Sequence, residues 1–258
     1  MAKIIAVTNQ KGGVGKTTIS FNLGLGLAER GNRVLLIDND PQGNLTTSIL
    51  ENPEDLKADI LDVFNENFDF NPQKVSDNLD FIGATIKLAE IADKSTPYLP
   101  YLMRTYLKGD EDNGDHAAVE ADYDYTIIDC LPSFGPLNVA ALIAADYVLI
   151  PTKPAPYAIE GLVSLFKNVK KMHKHNLNTS LKIAGVIMNL VENTNIHKEL
   201  EEVLKENYPG EIFEVKITKG TKLEESPFFN ESVMEYAPGT KQANQFNAFI
   251  REFLRRVE

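Results

Sequence analysis

The chain has 258 residues, 43% of them hydrophobic, and a formal net charge of −11 at pH 7. Its single cysteine excludes an internal disulfide framework, and the lack of any run of about 18 apolar residues excludes an ordinary transmembrane helix. No charged and then apolar leader begins the sequence, so we expect a cytoplasmic protein without a signal peptide.

Strand and helix patterns alternate along the chain. The apolar runs are short, rich in Ile and Val, and apolar at successive positions, which is typical of strands buried on both faces. We therefore predict an α/β fold with one mostly parallel, twisted sheet and helices on both faces, in a single domain of residues 1–258. Strands are predicted over residues 3–8, 33–38, 79–83, 125–129, 147–151, 183–189 and 212–215. Helices are predicted over residues 17–30, 155–175, 197–207 and 241–256.

The loop after the first predicted strand has the sequence of a phosphate-binding loop. Its end, Gly15-Lys16-Thr17, fits the pattern G-x-x-x-x-G-K-[ST], although Lys11 replaces the first glycine. Glycines let backbone N–H groups and the helix N-terminus face phosphate oxygens, so we expect a P-loop NTPase domain. Lys16 is expected to reach the β- and γ-phosphates, and Thr17 to bind Mg²⁺. The candidate nucleotide-binding residues are Lys11, Gly12, Gly13, Val14, Gly15, Lys16, Thr17 and Thr18.

A second lysine, Lys11, narrows the class of nucleotide-binding protein. Its position indicates a reach for the γ-phosphate of a nucleotide held by a facing subunit. Positive charge supplied by another subunit stabilises phosphoryl transfer much as an arginine finger does. We therefore predict a homodimer that forms on ATP binding, with Lys11 and Lys16 among its catalytic residues.

The acidity of the chain lies in one segment. Residues 51–124 hold 6 Lys or Arg and 18 Asp or Glu, whereas the remainder holds 20 and 19. Surfaces outside this segment can be locally basic, so the net charge does not exclude a polyanionic partner. Within the segment, residues 109–122 are rich in acids and poor in large apolar side chains, which predicts an exposed acidic loop.

Two further motifs lie at the ends of predicted strands. The sequence DNDPQGN occupies residues 38–44, and IIDC occupies residues 127–130. Together with NQKGGVGKTT at residues 9–18, they resemble the ParA/MinD family of deviant Walker-A ATPases, and within it the ParA (Soj-like) partition ATPases. The resemblance extends over nearly the whole chain.

The resemblance implies ATP, Mg²⁺ and roles for three aspartates. Asp40 matches the catalytic aspartate that orients the attacking water, Asp38 would support Mg²⁺ through water, and Asp129 fits the Walker-B role. A buried carboxylate without a cation is costly, which favours a metal near Asp129. Asp38 and Asp40 can also be turn or helix caps, because Asp-Pro and Gln-Gly signals follow directly.

The segment after Asp129 departs from the family pattern Asp-Cys-Pro-Pro-Ser. Leu131 replaces one of the two prolines, but Pro132 and Gly135 can still shape a loop that senses γ-phosphate. Cys130 has no second cysteine with which to hold a metal cluster, and its neighbours are apolar. We predict that it is an inert buried thiol.

Residues for base recognition are implied only by the resemblance. Related ATPases read the adenine edge with a residue at the end of the strand that we predict to end at Asn189. Pro154, which follows another predicted strand, would lie in the same neighbourhood. Asn189 can instead be a turn residue, and the choice of adenine over guanine has no independent support in the sequence.

Non-specific DNA binding is predicted in the C-terminal third. Relatives that bind DNA carry arginines in a stretch resembling IPRNVRLSEAPS, where this chain reads ITKGTKLEESP, so Lys219 and Lys222 stand at the arginine positions. Lysine neutralises phosphate but lacks the bidentate fork, so we expect weak, salt-sensitive binding. A second basic stretch is either another DNA contact or a solvated helix face. It comprises Lys167, Lys170, Lys171, Lys174 and Lys182, with His173 and His175 between them.

The last predicted helix is amphipathic, with large apolar residues on one face and arginines on another. A basic amphipathic helix can lie on a membrane, as in MinD-like proteins, but the same spacing is typical of a helix that packs on a core. Relatives of the ParA kind use this helix to cover the sheet. We predict core packing and no membrane attachment.

These observations leave three functions open. The first is a nucleoid-associated partition ATPase that segregates plasmid or chromosomal DNA, with hydrolysis stimulated by a ParB-like partner. The second is a ParA-like ATPase that positions a protein cargo, such as a microcompartment or chemoreceptor cluster, through a cargo adaptor. The third, a MinD-like membrane-cycling regulator or metallocluster carrier, is disfavoured by the single cysteine and the lack of a membrane tail.

Overall fold

Eight strands form one sheet in a computed structural model, which describes residues 2–92, 96–109, 118–155 and 158–258. The strands are β1 (Lys3–Val7), β2 (Val34–Asn39), β3 (Gln73–Ser76), β4 (Leu79–Ile82), β5 (Tyr125–Cys130), β6 (Tyr147–Thr152), β7 (Lys182–Val191) and β8 (Ile212–Thr218). Their order in the sheet is β3-β4-β2-β5-β1-β6-β7-β8. Only the pairing of β3 with β4 is antiparallel. The predicted parallel α/β fold is therefore confirmed.

Helices cover both faces of this sheet. They are α1 (Lys16–Ala28), α2 (Asn44–Ile49), α3 (Ile60–Phe64), α4 (Ala89–Ala92), α5 (Leu99–Lys108), α6 (Pro136–Ala144), α7 (Ala158–Lys174), α8 (Asn195–Asn207), α9 (Thr221–Glu225), α10 (Val233–Tyr236) and α11 (Lys241–Val257). Successive strand residues enter different layers. Ile4 packs in the layer of α5 and α6, whereas Ile5 packs in the layer of α1 and α11. Two apolar layers on one sheet explain why the strands lack polar alternation.

The four predicted helices correspond to α1, α7, α8 and α11, with ends that differ by no more than three residues. Of the predicted acidic loop 109–122, residues 110–117 lie outside the described residues. Its described end forms a single 3₁₀ turn over Val119–Asp122, in which the Glu120 side chain is buried. That turn is a correction to the prediction, because a loop exposed along its full length was expected.

Helix α11 packs on the core, as predicted. Its apolar face is fully buried at Phe246, Phe249 and Phe253. Its polar face also closes the outer edge of β8, where the Glu252 carboxylate accepts hydrogen bonds from the backbone N–H groups of Glu214 and Val215 at 3.0 and 3.2 Å. Within the described ranges, no helix combines the length and the apolar character needed to cross a bilayer.

Candidate nucleotide-binding site

The glycine-rich loop lies at the centre of the sheet's carboxyl edge, between the end of β1 and the start of α1. Gly13 and Gly15 have φ angles of 70° and 84°, in the left-handed region that favours glycine. A Cβ atom on Gly15 would lie 2.1 Å from the Asn189 amide nitrogen, whereas one on Gly13 would meet nothing within 4 Å. The loop therefore packs closely against β7 at Gly15 and is open at Gly13. A loop that binds phosphate needs such an open side.

Asn9 fixes the entry to this loop. Its Oδ1 accepts the Lys11 backbone N–H at 3.0 Å, and its Nδ2 donates to the Pro151 carbonyl at the end of β6 at 2.8 Å. The side chain is buried, and Thr8 beside it donates its hydroxyl to Asn138 in α6 at 3.0 Å. Sequence reasoning used Asn9 only as part of the motif at residues 9–18 and gave Asn138 no role, because no local pattern indicates the distant partners of an asparagine.

The two loop lysines differ in environment. Lys16 is buried, and within the described residues its ammonium group has no ion-pair partner. Burial lowers the pKa of Lys16, while the nearby charges of Asp129 and Asp40 oppose that shift. Lys11 is half-buried and likewise belongs to none of the ion pairs found in the described ranges. Both lysines are therefore free to meet an anion placed on the loop.

Asp129 at the end of β5 is held against the start of α1. Its two carboxylate oxygens accept hydroxyl hydrogen bonds from Thr17 at 2.7 Å and Ser20 at 2.9 Å. Burial raises the pKa of Asp129 to about 6, against these hydrogen bonds and the Lys16 charge. Because Thr17 donates its proton to Asp129, the lone pairs of its hydroxyl oxygen remain available to a metal ion.

Asp38 is paired in register with Asp129 on the neighbouring strand. It is fully buried, and its oxygens accept hydrogen bonds from Asp40 N–H at 3.1 Å and from the Thr46 N–H and hydroxyl, both at 2.8 Å. Burial and the charge of Asp129 raise the pKa of Asp38 to about 8. Asp38 therefore holds the turn that follows β2. The capping interpretation is confirmed, and the Mg²⁺ role stays a prediction.

Asp40 lies on that turn at the carboxyl edge of the sheet. Its Oδ1 accepts the Gln42 backbone N–H at 3.0 Å, so this side chain also caps a turn. No hydrogen bond to its second oxygen, Oδ2, is found within the described parts of the chain. One carboxylate oxygen thus shapes the backbone while the other is available for a water molecule.

The donor set at this edge fits Mg²⁺. Thr17, Asp38 and Asp129 supply only oxygen atoms, the ligand type that Mg²⁺ prefers. In the described ranges, no group of three or more His, Cys, Asp or Glu side chains could hold a metal by itself. A magnesium ion here would therefore take Thr17 directly and complete its coordination with phosphate oxygens and water held by the carboxylates.

Asn189 and Pro154 lie on the same side of the sheet. β7 continues to Val191, so Asn189 is inside the strand rather than at its end, which corrects the predicted boundary. Its Nδ2 donates to the Val14 carbonyl at 3.0 Å, and its buried Oδ1 has no hydrogen-bond partner among the described residues. Pro154 follows β6 and is buried. Neither contact identifies a base, and both base assignments remain predictions.

Cys130 and the loop after it are tied to the core. The thiol is buried, as predicted, and burial raises its pKa, which favours the inert thiol form. Asn138 donates its amide to the carbonyls of Leu131, at 2.9 Å, and Ser133. The loop that replaces the double-proline pattern is thus fastened by an asparagine of α6.

The predicted DNA-contact lysines lie beyond β8 and differ in their pairing. Lys219 is exposed and lines a cavity of about 410 Å³ together with Lys198, Lys216 and Lys241. Lys222 forms an ion pair with Glu225 at 2.8 Å and lies over the ring of Tyr236. The lysines on α7 and Lys182 are exposed and outside the ion pairs found in the described ranges, so a DNA contact and a solvated helix face both remain predictions for this stretch.

Comparisons with known proteins agree with this site. A family model described as an AAA domain, AAA_31, matches residues 2–183. The chain is 38% identical over 256 residues to the sporulation initiation inhibitor protein Soj of Bacillus subtilis, covering 98% of each chain. It is 31% identical to the chromosome partitioning protein ParA of Myxococcus xanthus, covering 99% of this chain and 89% of that protein.

A solved structure extends the agreement to the fold. The structure of a putative plasmid partition protein from Borrelia burgdorferi bound to AMPPNP superposes with a TM-score of 0.81, at 28% identity. The match covers 99% of this chain and 100% of that one. Together with the full-length match to Soj, it shows that the chain has the fold of a P-loop ATPase. The chain belongs to the ParA/Soj-like family of partition ATPases, and its activity is ATP hydrolysis.

Proposed function

We propose that this ATPase segregates plasmid or chromosomal DNA by cycling between an ATP-bound dimer that binds DNA without sequence preference and a released monomer. A ParB-like or cargo-adaptor protein would stimulate hydrolysis and so end each cycle. The observation that carries the proposal is Lys11, a half-buried lysine within the phosphate loop that is outside the ion pairs found in the described ranges. A lysine at that position has a use only if phosphate comes close to it.

The site residues divide the chemistry as follows. Lys16 neutralises the β- and γ-phosphates bound by its own subunit. Lys11 supplies positive charge to the γ-phosphate bound by the facing subunit. Asp40 orients the attacking water through its available carboxylate oxygen. Thr17 would hold Mg²⁺ directly, and Asp129 and Asp38 would hold it through water; the ion would supply positive charge that polarises the phosphates.

Exposed apolar side chains support a dimer that closes over this edge. Ile86 follows β4, Phe134 follows β5 and Ile196 follows β7, so all three lie at the carboxyl edge that holds the phosphate loop. Val163 in the second turn of α7 is exposed as well. A facing subunit would bury these side chains while bringing its own Lys11 to the nucleotide.

The cavity that contains Lys219 supports a DNA contact. Lys198, Lys219 and Lys241 carry charges outside the ion pairs found in the described ranges, whereas Lys216 shares Glu201 with Lys205. Three such lysines per subunit can neutralise phosphates, and their number favours mobile attachment over tight binding. The contact is also separate from the acidic segment 51–124.

Two lysine variants test the proposal. Lys16→Ala should lose ATP binding, because it removes the buried charge beneath the phosphates. Lys11→Ala should still bind ATP within about threefold of the wild type and yet fail to dimerise, since its target lies on the other subunit. Binding is measured with a fluorescent ATP analogue, and mass is measured by sedimentation with AMPPNP. A Lys11→Ala protein that forms an active ATP dimer would contradict the role in trans.

A further inference from the structure

Phe228 is the most exposed large hydrophobic side chain in the described ranges. Its accessible fraction is 84%, and that of its neighbour Phe229 is 52%. Phe229 stacks on Tyr236 with ring centroids 4.9 Å apart, and Phe228 meets Phe229 edge-on at 5.5 Å. We call these three rings the aromatic surface. Exposed aromatic side chains in a cluster are characteristic of contact sites, since leaving them in water forfeits their burial energy.

The backbone that presents these rings is held in place. Asn230, in the left-handed region with a φ angle of 56°, donates its amide to the Ser48 carbonyl at 3.1 Å. The Val233 backbone N–H donates to the Asn22 side chain at 2.8 Å. The rings therefore stand on anchored backbone, and a partner would not have to order a loop on binding.

The charge around the aromatic surface is negative. Residues 224–236 contain four glutamates and no Lys, Arg or His. The adjacent cation, Lys222, is already paired with Glu225, which also accepts the Tyr236 hydroxyl at 3.0 Å. Glu224 and Glu235 are exposed, and Glu231 is half-buried. Those carboxylates of this segment that form no ion pair with a described residue repel phosphate groups and attract cations.

We propose that the aromatic surface docks a protein segment in which Arg or Lys side chains stand beside apolar ones. Apolar side chains of that segment would cover Phe228 and Phe229, and its cations would meet the glutamates and the ring faces. Duplex DNA and anionic lipid lack the positive charge that this surface attracts.

The segment that carries the aromatic surface is hydrogen-bonded to both helices that leave the nucleotide site. Asn22 belongs to α1, which starts at Lys16, and Ser48 belongs to α2, which follows the Asp40 turn. An occupant would therefore bind to a segment that is hydrogen-bonded to the helix that begins at Lys16 and to the helix that follows the Asp40 turn. Any effect of docking on ATP turnover rests on the proposed function, whereas the docking itself is measured without nucleotide.

The test uses three fluorescein-labelled synthetic peptides of equal length and fluorescence anisotropy. One alternates Arg and Leu, the second alternates Arg and Ser, and the third alternates Glu and Leu. The Arg-Leu peptide should bind the wild-type protein at least about tenfold more tightly than the other two. Phe228→Ser should lose about tenfold in affinity for it, because the ring that the peptide covers is gone. Tyr98→Ser, which removes an exposed ring at the start of α5 in the other layer of the fold, is the matched control and should bind like the wild type.

Charge and self-association complete the test. The double variant Glu224→Gln, Glu231→Gln should lower the affinity for the Arg-Leu peptide, because it removes two negative charges while Phe228 is unchanged. Equal peptide affinity of Phe228→Ser and the wild type overturns the proposal. So does a change in the sedimentation mass of Phe228→Ser without peptide, which would assign the surface to a second copy of this chain.

Basal ATP hydrolysis, measured in parallel on Phe228→Ser, should equal that of the wild type. A wild type that binds the peptide but hydrolyses no ATP would count against the proposed cycle and leave the docking result standing.

Discussion

One side chain, Asp40, performs two tasks at the nucleotide edge. Its Oδ1 accepts the Gln42 N–H and so shapes the turn after β2, while its backbone N–H is held by Asp38. Its other oxygen is left for a water molecule. The same side chain thus shapes the turn and positions the water. An informative set of substitutions at Asp40 must distinguish the loss of the turn contact from the loss of the carboxylate charge.

Asp40→Asn and Asp40→Ala make that separation. Asparagine keeps an oxygen that can accept the Gln42 N–H but lacks the carboxylate charge, whereas alanine removes both. We expect both variants to bind ATP and to form dimers, and to hydrolyse ATP at least about 100-fold more slowly than the wild type, since general-base groups contribute about 10²–10⁴.

Steady-state phosphate release and sedimentation with ATP measure the two properties. Loss of activity in Asp40→Ala alone would assign the effect to the turn rather than to the charge. Turnover at the wild-type rate in both would transfer the water-positioning role to another residue.

At the scale of elements, α11 does more than cover the sheet. Arg256 donates to the Ile212 carbonyl at 2.8 Å and to Glu252 at 2.9 Å, while Glu252 accepts from the backbone of β8. These two residues, one helical turn apart, bond backbone groups of three residues in an edge strand. Groups that are bonded in this way are not available for pairing with another chain.

Glu252→Ala should therefore lower the free energy of unfolding by about 2–4 kcal/mol, because it leaves the backbone N–H groups of Glu214 and Val215 and the Arg256 guanidinium without their acceptor. Urea unfolding followed by circular dichroism gives the change. Glu199→Ala on the exposed face of α8 is the control and should cost less than about 0.5 kcal/mol. A loss in Glu252→Ala no greater than in the control would mean that water satisfies the strand edge equally well.

The elements also explain which parts of the fold the sequence can predict. Strands buried on both faces can be recognised in the sequence as apolar runs, and all seven predicted strands are present. β3 was missed because it is a short edge strand whose residues are mostly exposed. α6 was missed because it is buried nearly all round and shows no polar face, so helical periodicity is absent.

The same contrast holds within the site. A phosphate loop is predictable because its chemistry needs a fixed local order of glycine, lysine and threonine. Asp38 was open to two interpretations because a carboxylate after a strand suits both a turn and a metal. The sequence alone does not predict that Thr46 is its hydrogen-bond partner, because the contact depends on how α2 packs against the end of β2. Ser20 reaches Asp129 across 109 residues, and no local pattern reports such a contact.

At the scale of the whole molecule, charge is separated along the chain. The segment 51–124 carries the excess of acids, and the lysine-lined cavity lies at the other end of the sheet beside β7 and β8. A protein with a net charge of −11 can therefore present a basic contact to DNA, provided that the contact is short-ranged. The contribution of each lysine to DNA affinity then depends on whether an ion pair within the protein already neutralises its charge.

Lys219→Ala and Lys222→Ala should differ in their effect on DNA binding by the ATP-bound dimer. Lys219 is outside the ion pairs found in the described ranges, so its loss from both subunits should lower the slope of log K against log salt by about 1.8. Lys222 is already shared with Glu225, and its removal should change the slope by clearly less. The slope is measured by anisotropy on an arbitrary duplex between low and moderate salt. Lys170→Ala on α7 serves as the control for an exposed lysine. An equal effect of Lys219→Ala and Lys222→Ala would mean that DNA displaces Glu225, and a loss confined to Lys170→Ala would place the DNA on the face of α7.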